Sequence, residues 1–95
     1  MHVITQTRIQ DAQKRWPQAS SALDGWYRGI KRASPYHFAD MKRLFPATDL
    51  VGPHHVFDIG GNKIRLIAVV MYRAQRVYIK HILDHVEYDK GKWRD

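Results

Sequence analysis

Lys63 and Arg65 stand two residues apart after Gly60-Gly61-Asn62, and His85 and Tyr88 stand three apart near the C-terminus. Side chains alternate along a strand, so residues i and i+2 share a face at about 6.5 Å. If Lys63 opens a strand, it points the same way as Arg65, ahead of Ile67, Val69 and Met71. An antiparallel return strand over 77–83 then brings His85, and just beyond it Tyr88, beside them. On that strand His81, Leu83 and His85 share one face, with Tyr78, Lys80 and Ile82 on the other. Two fixed cations, an imidazole and a phenol at one sheet end suit phosphodiester chemistry. The cations balance charge on the phosphate, and His or Tyr handles protons. Each residue also has a plainer reading. Lys63 after a turn is ordinarily a solvated charge, His85 a surface histidine, and Tyr88, Trp16, Trp26 and Trp93 packing aromatics. Arg65, flanked by Ile64 and Leu66, is the hardest to read as mere surface.

The chain divides into a helical half and a stranded half. Val3 and Ile4 form a short strand. Thr7 caps a helix carrying Ile9, Ala12 and Trp16, which Pro17 interrupts because proline has no N–H to donate. A second helix over about 18–32 places Leu23, Trp26, Tyr27 and Ile30 at i, i+3, i+4 and i+7, one face of a helix. Ser34-Pro35 opens a third, with Phe38, Met41 and Phe45 facing one way until Pro46. After a break at Gly52-Pro53, residues 55–59 read as a strand. Gly60-Gly61-Asn62 turns the chain through residues that tolerate positive φ. A long strand over 63–72, a turn over 73–76 and the return strand follow; the polar tail, 84–95, holds one short helix. The expected fold is one α+β domain over 1–95, its N-terminal helices packed on one face of a mainly antiparallel sheet.

Composition narrows the function. Sixteen Lys and Arg against nine Asp and Glu give a net charge of +7, spread over both halves of the 95 residues. Such a surface favours polyanions, because each phosphate neutralised releases condensed counterions. The chain has no cysteine, hence no disulfide framework and no thiolate metal site. His54-His55 is a weak ligand pair, since strand neighbours point to opposite faces, and no H-E-x-x-H or C-x-x-C pattern supports zinc. Gly60-Gly61-Asn62 matches no phosphate-cradling loop and reads as a turn. No apolar run approaches the roughly 20 residues that span a bilayer, and no secretory signal opens the chain. A soluble cytoplasmic domain with no membrane, metal or cofactor is expected.

Two stretches are more specific than their composition. Residues 55–67 read H-V-F-D-I-G-G-N-K-I-R-L-I, and residues 77–90 read V-Y-I-K-H-I-L-D-H-V-E-Y-D-K. Together they closely resemble the HigB-type toxins of bacterial toxin–antitoxin operons, a branch of the RelE superfamily. That family's pattern is roughly V-F-[ND]-I-G-G-N-x-x-R, a hydrophobic strand, Y-I-[RK] and then H-x-E-Y-D, with M-H-x-I-T at the start, present here as Met1 to Thr5.

The resemblance implies a RelE-like fold and a ribosome-dependent mRNA interferase acting in the A site. In the superfamily's usual reaction the ribose 2′-hydroxyl attacks the adjacent phosphate and the 5′-oxygen leaves, without a metal. Arg65 matches the arginine after G-G-N and becomes the candidate for phosphate stabilisation, its planar fork able to hold two oxygens; Lys63 assists. His85 matches the histidine of H-x-E-Y-D and becomes the proton carrier, a histidine's ordinary pKa of about 6.5 suiting either role. Tyr88 orients the phosphate or stacks on a base. Lys80, at a family Arg/Lys position, contacts RNA, as do Arg73, His81 and Lys90.

The sequence departs from the pattern at Asp84, where Thr is frequent, and at His81, where an acid is frequent, so His81 competes with His85 for the proton-transfer role. The implied partners are mRNA on the ribosome, with its ribosomal RNA, and a helix-turn-helix antitoxin. The chain itself shows no helix-turn-helix, so DNA is reached only through that antitoxin. The competing readings are a non-catalytic basic module that blocks translation by binding RNA or the ribosome, and a degenerate toxin kept only for complex formation.

Overall fold

A computed structural model describes residues 1–61 and 63–94. The order is β1 (His2–Ile4), α1 (Gln6–Arg15), a 3-10 turn (Pro17–Ala19), α2 (Ser20–Arg32), α3 (Phe38–Leu44), β2 (Thr48–Val51), β3 (His54–Ile59), β4 (Ile64–Met71), β5 (Arg76–Asp84), α4 (His85–Asp89) and a second 3-10 turn (Lys92–Arg94). The strands form one sheet, β1-β5-β4-β3-β2, antiparallel throughout except where β1 lies parallel to β5. This is the expected α+β architecture. Among the described residues no helix is long and apolar enough to cross a membrane.

Ile64, Leu66 and Ala68 of β4 turn to the helices, where they meet Ile9 and Ala12 of α1, Leu23, Trp26 and Ile30 of α2, and Met41 of α3. Trp26 and Phe45 both meet Phe57 of β3 edge-on, with ring centroids 5.2 and 5.7 Å away. The opposite face, which α1, α2 and α3 leave open, is covered by a smaller cluster of Val56, Ile67 and Trp93, flanked by Val51, Leu83 and Tyr88. β4 is therefore sealed on both sides: Leu66 and Ile67 are each 0% exposed.

Several local expectations shift. α1 begins at Gln6, and its N-cap is Thr5 in extended conformation, not Thr7. α3 starts at Phe38, three residues beyond Pro35: His37 in extended conformation is its N-cap, and Gln75 Nε2 donates to the Pro35 carbonyl at 2.8 Å. β2 has no local strand signal in Thr48-Asp49-Leu50-Val51; it forms by pairing with β3. Ile67 pairs with His81 and Ala68 with Ile79, so Lys80 is bulged out of the ladder. One extra residue reverses the facing beyond it. Ile82 consequently joins Val77 and Ile79 toward the helices, apart from Tyr78 and Lys80, while Leu83 packs on the open face. Arg8 holds the bulge, donating to the Lys80 carbonyl at 3.1 Å.

His54 and His55 diverge as strand neighbours must. His54 meets Trp93 on the open face. His55, 5% exposed, lies between Phe38 and Phe57, with its Nε2 2.6 Å from the Tyr72 hydroxyl. Burial, with Asp40 nearby, pushes the Tyr72 phenol up to about 12, so it stays protonated.

Burial lowers the pKa of His55 below the ordinary 6.5; burial and then Arg8, His54 and Lys80 lower that of His81. For both, the unfolded chain accepts a proton that the folded state resists. Their stabilising contribution is complete above about pH 6.5 and is lost as the pH falls below it. The urea midpoint is expected to drop between about pH 7.5 and about pH 5.5, less steeply in His55→Gln and least in the double variant with His81→Gln. Equal pH dependence in all three chains contradicts this assignment.

Candidate functional site

Two surfaces meet at the end of the sheet where β4 begins and β5 ends. The first is a groove of about 510 Å³ on the helix side, bordered by Lys63, His85 and Asp84 and floored by Trp16, Ala19 and Ile64. His85 is exposed at the first position of α4. The helix starts there because the Asp84 carboxylate accepts from the Glu87 N–H at 2.8 Å, satisfying one of the first-turn donors. Asp84 is thus a helix cap as well as a neighbour of His85. Lys63 is exposed, and the Arg15 guanidinium lies 4.4 Å from the centre of the Trp16 ring. An exposed cation, an imidazole and an aromatic floor in one groove offer a nucleotide charge balance, proton transfer and an apolar surface.

The second surface is the open face. Arg65 Nη1 donates to Asp58 Oδ1 at 3.0 Å, across the β3–β4 pair in which these two residues stand opposite each other. Both side chains are only about one-fifth exposed, at 19% and 21%. The guanidinium also lies 5.5 Å from the Tyr88 ring centre. Tyr88 stacks on Trp93 at 5.1 Å and 14°, and Trp93 Nε1 donates to the Tyr88 carbonyl at 2.9 Å. The tail is thereby folded back and anchored on the sheet.

The structure brings the expected residues together in pairs. Lys63 and His85 share the groove; Arg65 and Tyr88 meet on the open face. Lys63 does not share a face with Arg65 as alternation from residue 63 implies, because it belongs to the turn and β4 begins at Ile64. His85 leaves the face of His81 and Leu83 because β5 ends at Asp84. His81 and Lys90 border one recess on the open face. Lys80 sits exposed on the bulge, its ammonium 6.0 Å from the Tyr78 ring centre. Arg73 lies in the β4–β5 turn, a full eight-residue strand from Lys63, roughly 25 Å at strand rise, so it does not reach the same phosphate.

The sequence patterns do not mark Asp58, Trp93 or Trp16 as functional. Asp58 had a usable signal: a hairpin centred on Gly61-Asn62 puts residue 58 opposite residue 65. The two tryptophans had none beyond being aromatic.

Comparison with known proteins gives a consistent picture. The HigB toxin family model, described as the RelE-like toxic component of a toxin–antitoxin system, matches residues 19–91, a span containing Lys63, Arg65, His85 and Tyr88. The chain is 34% identical over 92 residues to the mRNA interferase toxin HigB of Escherichia coli (strain K12), covering 94% of this chain and 88% of that protein. The mRNA interferase HigB of Shigella flexneri shows the same identity and coverage. That of Escherichia coli O6:H1 is 33% identical over 93 residues, with 95% and 90% covered.

The two ion pairs of this region differ in exposure, and so in worth. Arg65–Asp58 is mostly shielded, whereas Arg15–Glu87, at 2.9 Å, has side chains 57% and 35% exposed. Asp58→Ala is expected to destabilise the fold by about 1–3 kcal/mol, because it removes the carboxylate paired with a mostly buried guanidinium. Glu87→Ala is expected to cost less than about 1 kcal/mol. Denaturant titration of the two variants checks the ranking, and a reversed order contradicts it.

Proposed function

The chain belongs to the HigB toxin family, the RelE-like toxic components of toxin–antitoxin systems, and from that premise we propose that it is an mRNA interferase that cuts message in the ribosomal A site. The observation that carries this reading is its 34% identity, over 94% of its length, to a relative named as an mRNA interferase toxin. The groove at the sheet end supports it: an exposed cation and an exposed histidine share a groove large enough for a nucleotide.

In the proposed reaction the 2′-hydroxyl of one ribose loses its proton and attacks the adjacent phosphorus. The P–O5′ bond then breaks and the departing oxygen takes up a proton, leaving a 2′,3′-cyclic phosphate and a free 5′-hydroxyl. The steps need a base, an acid and positive charge on the crowded phosphorane. His85 moves a proton in the groove, and Lys63 beside it balances phosphate charge. Arg65, oriented by Asp58, adds a fixed cation at the same sheet end, and Tyr88 beneath it holds that geometry and faces the strand as it passes to the open face. His81 and Lys90 contact RNA on the open face and Lys80 at the β5 bulge. Arg73, at the far end, reaches ribosomal RNA.

The +7 charge fits such polyanionic surroundings. The toxin acts in the cytoplasm, its activity held by a cognate helix-turn-helix antitoxin that alone connects it to DNA.

Primer extension on a message translated in vitro tests the reading. New 5′ ends at in-frame positions are expected only with ribosomes, and at a rate lower by about 10²–10⁴-fold in His85→Ala. Cleavage of naked RNA rejects ribosome dependence. Blocked translation with intact message transfers the chain to the class of non-catalytic RNA-binding modules.

A further inference from the structure

We propose that the recess on the open face receives one nucleobase of the bound RNA and sets which codons are cut, an inference that rests on the interferase reading above. The recess holds about 300 Å³ between His81, Leu83, Trp93 and Glu87, with Lys90 and Lys92 at its rim. That volume is at the small end of ligand sites and suits a single planar base. Its walls divide the work of recognition. Leu83 and Trp93 are apolar, and Trp93 is fixed by Tyr88 stacking on it, by His54 edge-on and by its own bond to the Tyr88 carbonyl. The wall is therefore preformed, which lowers the ordering cost of binding.

His81 supplies the polar edge. Burial and the neighbouring Arg8, His54 and Lys80 favour its uncharged ring. A neutral imidazole presents one donor and one acceptor, and so distinguishes base edges where an ammonium cannot. Glu87, the acid in the recess wall, is paired with Arg15, which offsets its charge toward RNA. Lys90 and Lys92 are exposed and positioned for the flanking phosphates. This is the division seen in nucleic-acid readers generally: phosphate contacts position the strand, and base contacts specify it.

The test uses the full chain carrying His85→Ala, so that RNA stays intact, and four pentanucleotide RNAs differing only in the central base. Fluorescence anisotropy is expected to show at least about tenfold between the best and worst base. Adding His81→Ala compresses that range to within about threefold, whereas His81→Gln, which keeps a donor and an acceptor, retains discrimination. Lys92→Ala weakens all four alike and reduces the salt dependence. On translating ribosomes, His81→Ala in the otherwise wild-type chain flattens the codon distribution of cuts.

Equal affinities for the four RNAs, or discrimination that survives His81→Ala in a chain whose circular dichroism is unchanged, overturns the proposal. So does loss of antitoxin binding in His81→Ala with RNA binding unaltered, which assigns the recess to a protein partner. If the wild-type chain fails to cut ribosome-bound message yet base discrimination persists and depends on His81, the interferase reading falls and the recess stands.

Discussion

Double burial of β4 governs the arrangement of everything around it. A central strand with apolar side chains on both faces needs a cover on each, and the three N-terminal helices cover only one. The other side is closed by residues 85–94, which turn back from the end of β5 and set Trp93 over Val56 and Ile67. That return path places His85 beside Lys63 on one side of the sheet end and Tyr88 over Arg65 on the other. The residues with chemistry are thus held by the same packing that protects the strand. Loosening Trp93 exposes Ile67 and releases the tail that carries the histidine.

Charge is distributed with similar economy. Asp58 is tied to Arg65, Glu87 to Arg15 and Asp24 to Arg28, while Asp84 caps α4. These acids are occupied within the fold, while Lys63, Lys90 and Lys92 stand exposed. A polyanion approaching the sheet end therefore meets exposed cations and, at Asp58 and Glu87, carboxylates already paired, a condition that favours association and makes it salt-sensitive.

Much of this was legible in the residues. The alternation read from Lys63 holds from Ile64 onward, and the i, i+3, i+4, i+7 face of α2 is the face that packs on the sheet. The motifs around Gly60-Gly61-Asn62 and His85 carried the family resemblance that the comparisons bear out. What escaped was decided by distant partners. β2 exists because β3 offers it a ladder. The bulge at Lys80 is held by Arg8, seventy-two positions away. Lys63 falls one residue short of the strand, which moves it from the side of Arg65 to the groove of His85, and no alternation rule marks where a turn ends. Trp93 lies in a polar tail with no periodicity to show that it closes the second cluster.

The chemistry of the cut ends decides most directly whether side chains at this sheet end move the protons. Message cleaved on ribosomes by the wild-type chain would be digested and its termini identified by mass spectrometry. In-line attack by the 2′-hydroxyl, with His85 carrying a proton, predicts 2′,3′-cyclic phosphates upstream and 5′-hydroxyls downstream, both strongly reduced when His85→Ala replaces the wild type. Termini bearing 3′-hydroxyls and 5′-phosphates, or cyclic phosphates formed just as fast without the His85 imidazole, would contradict it.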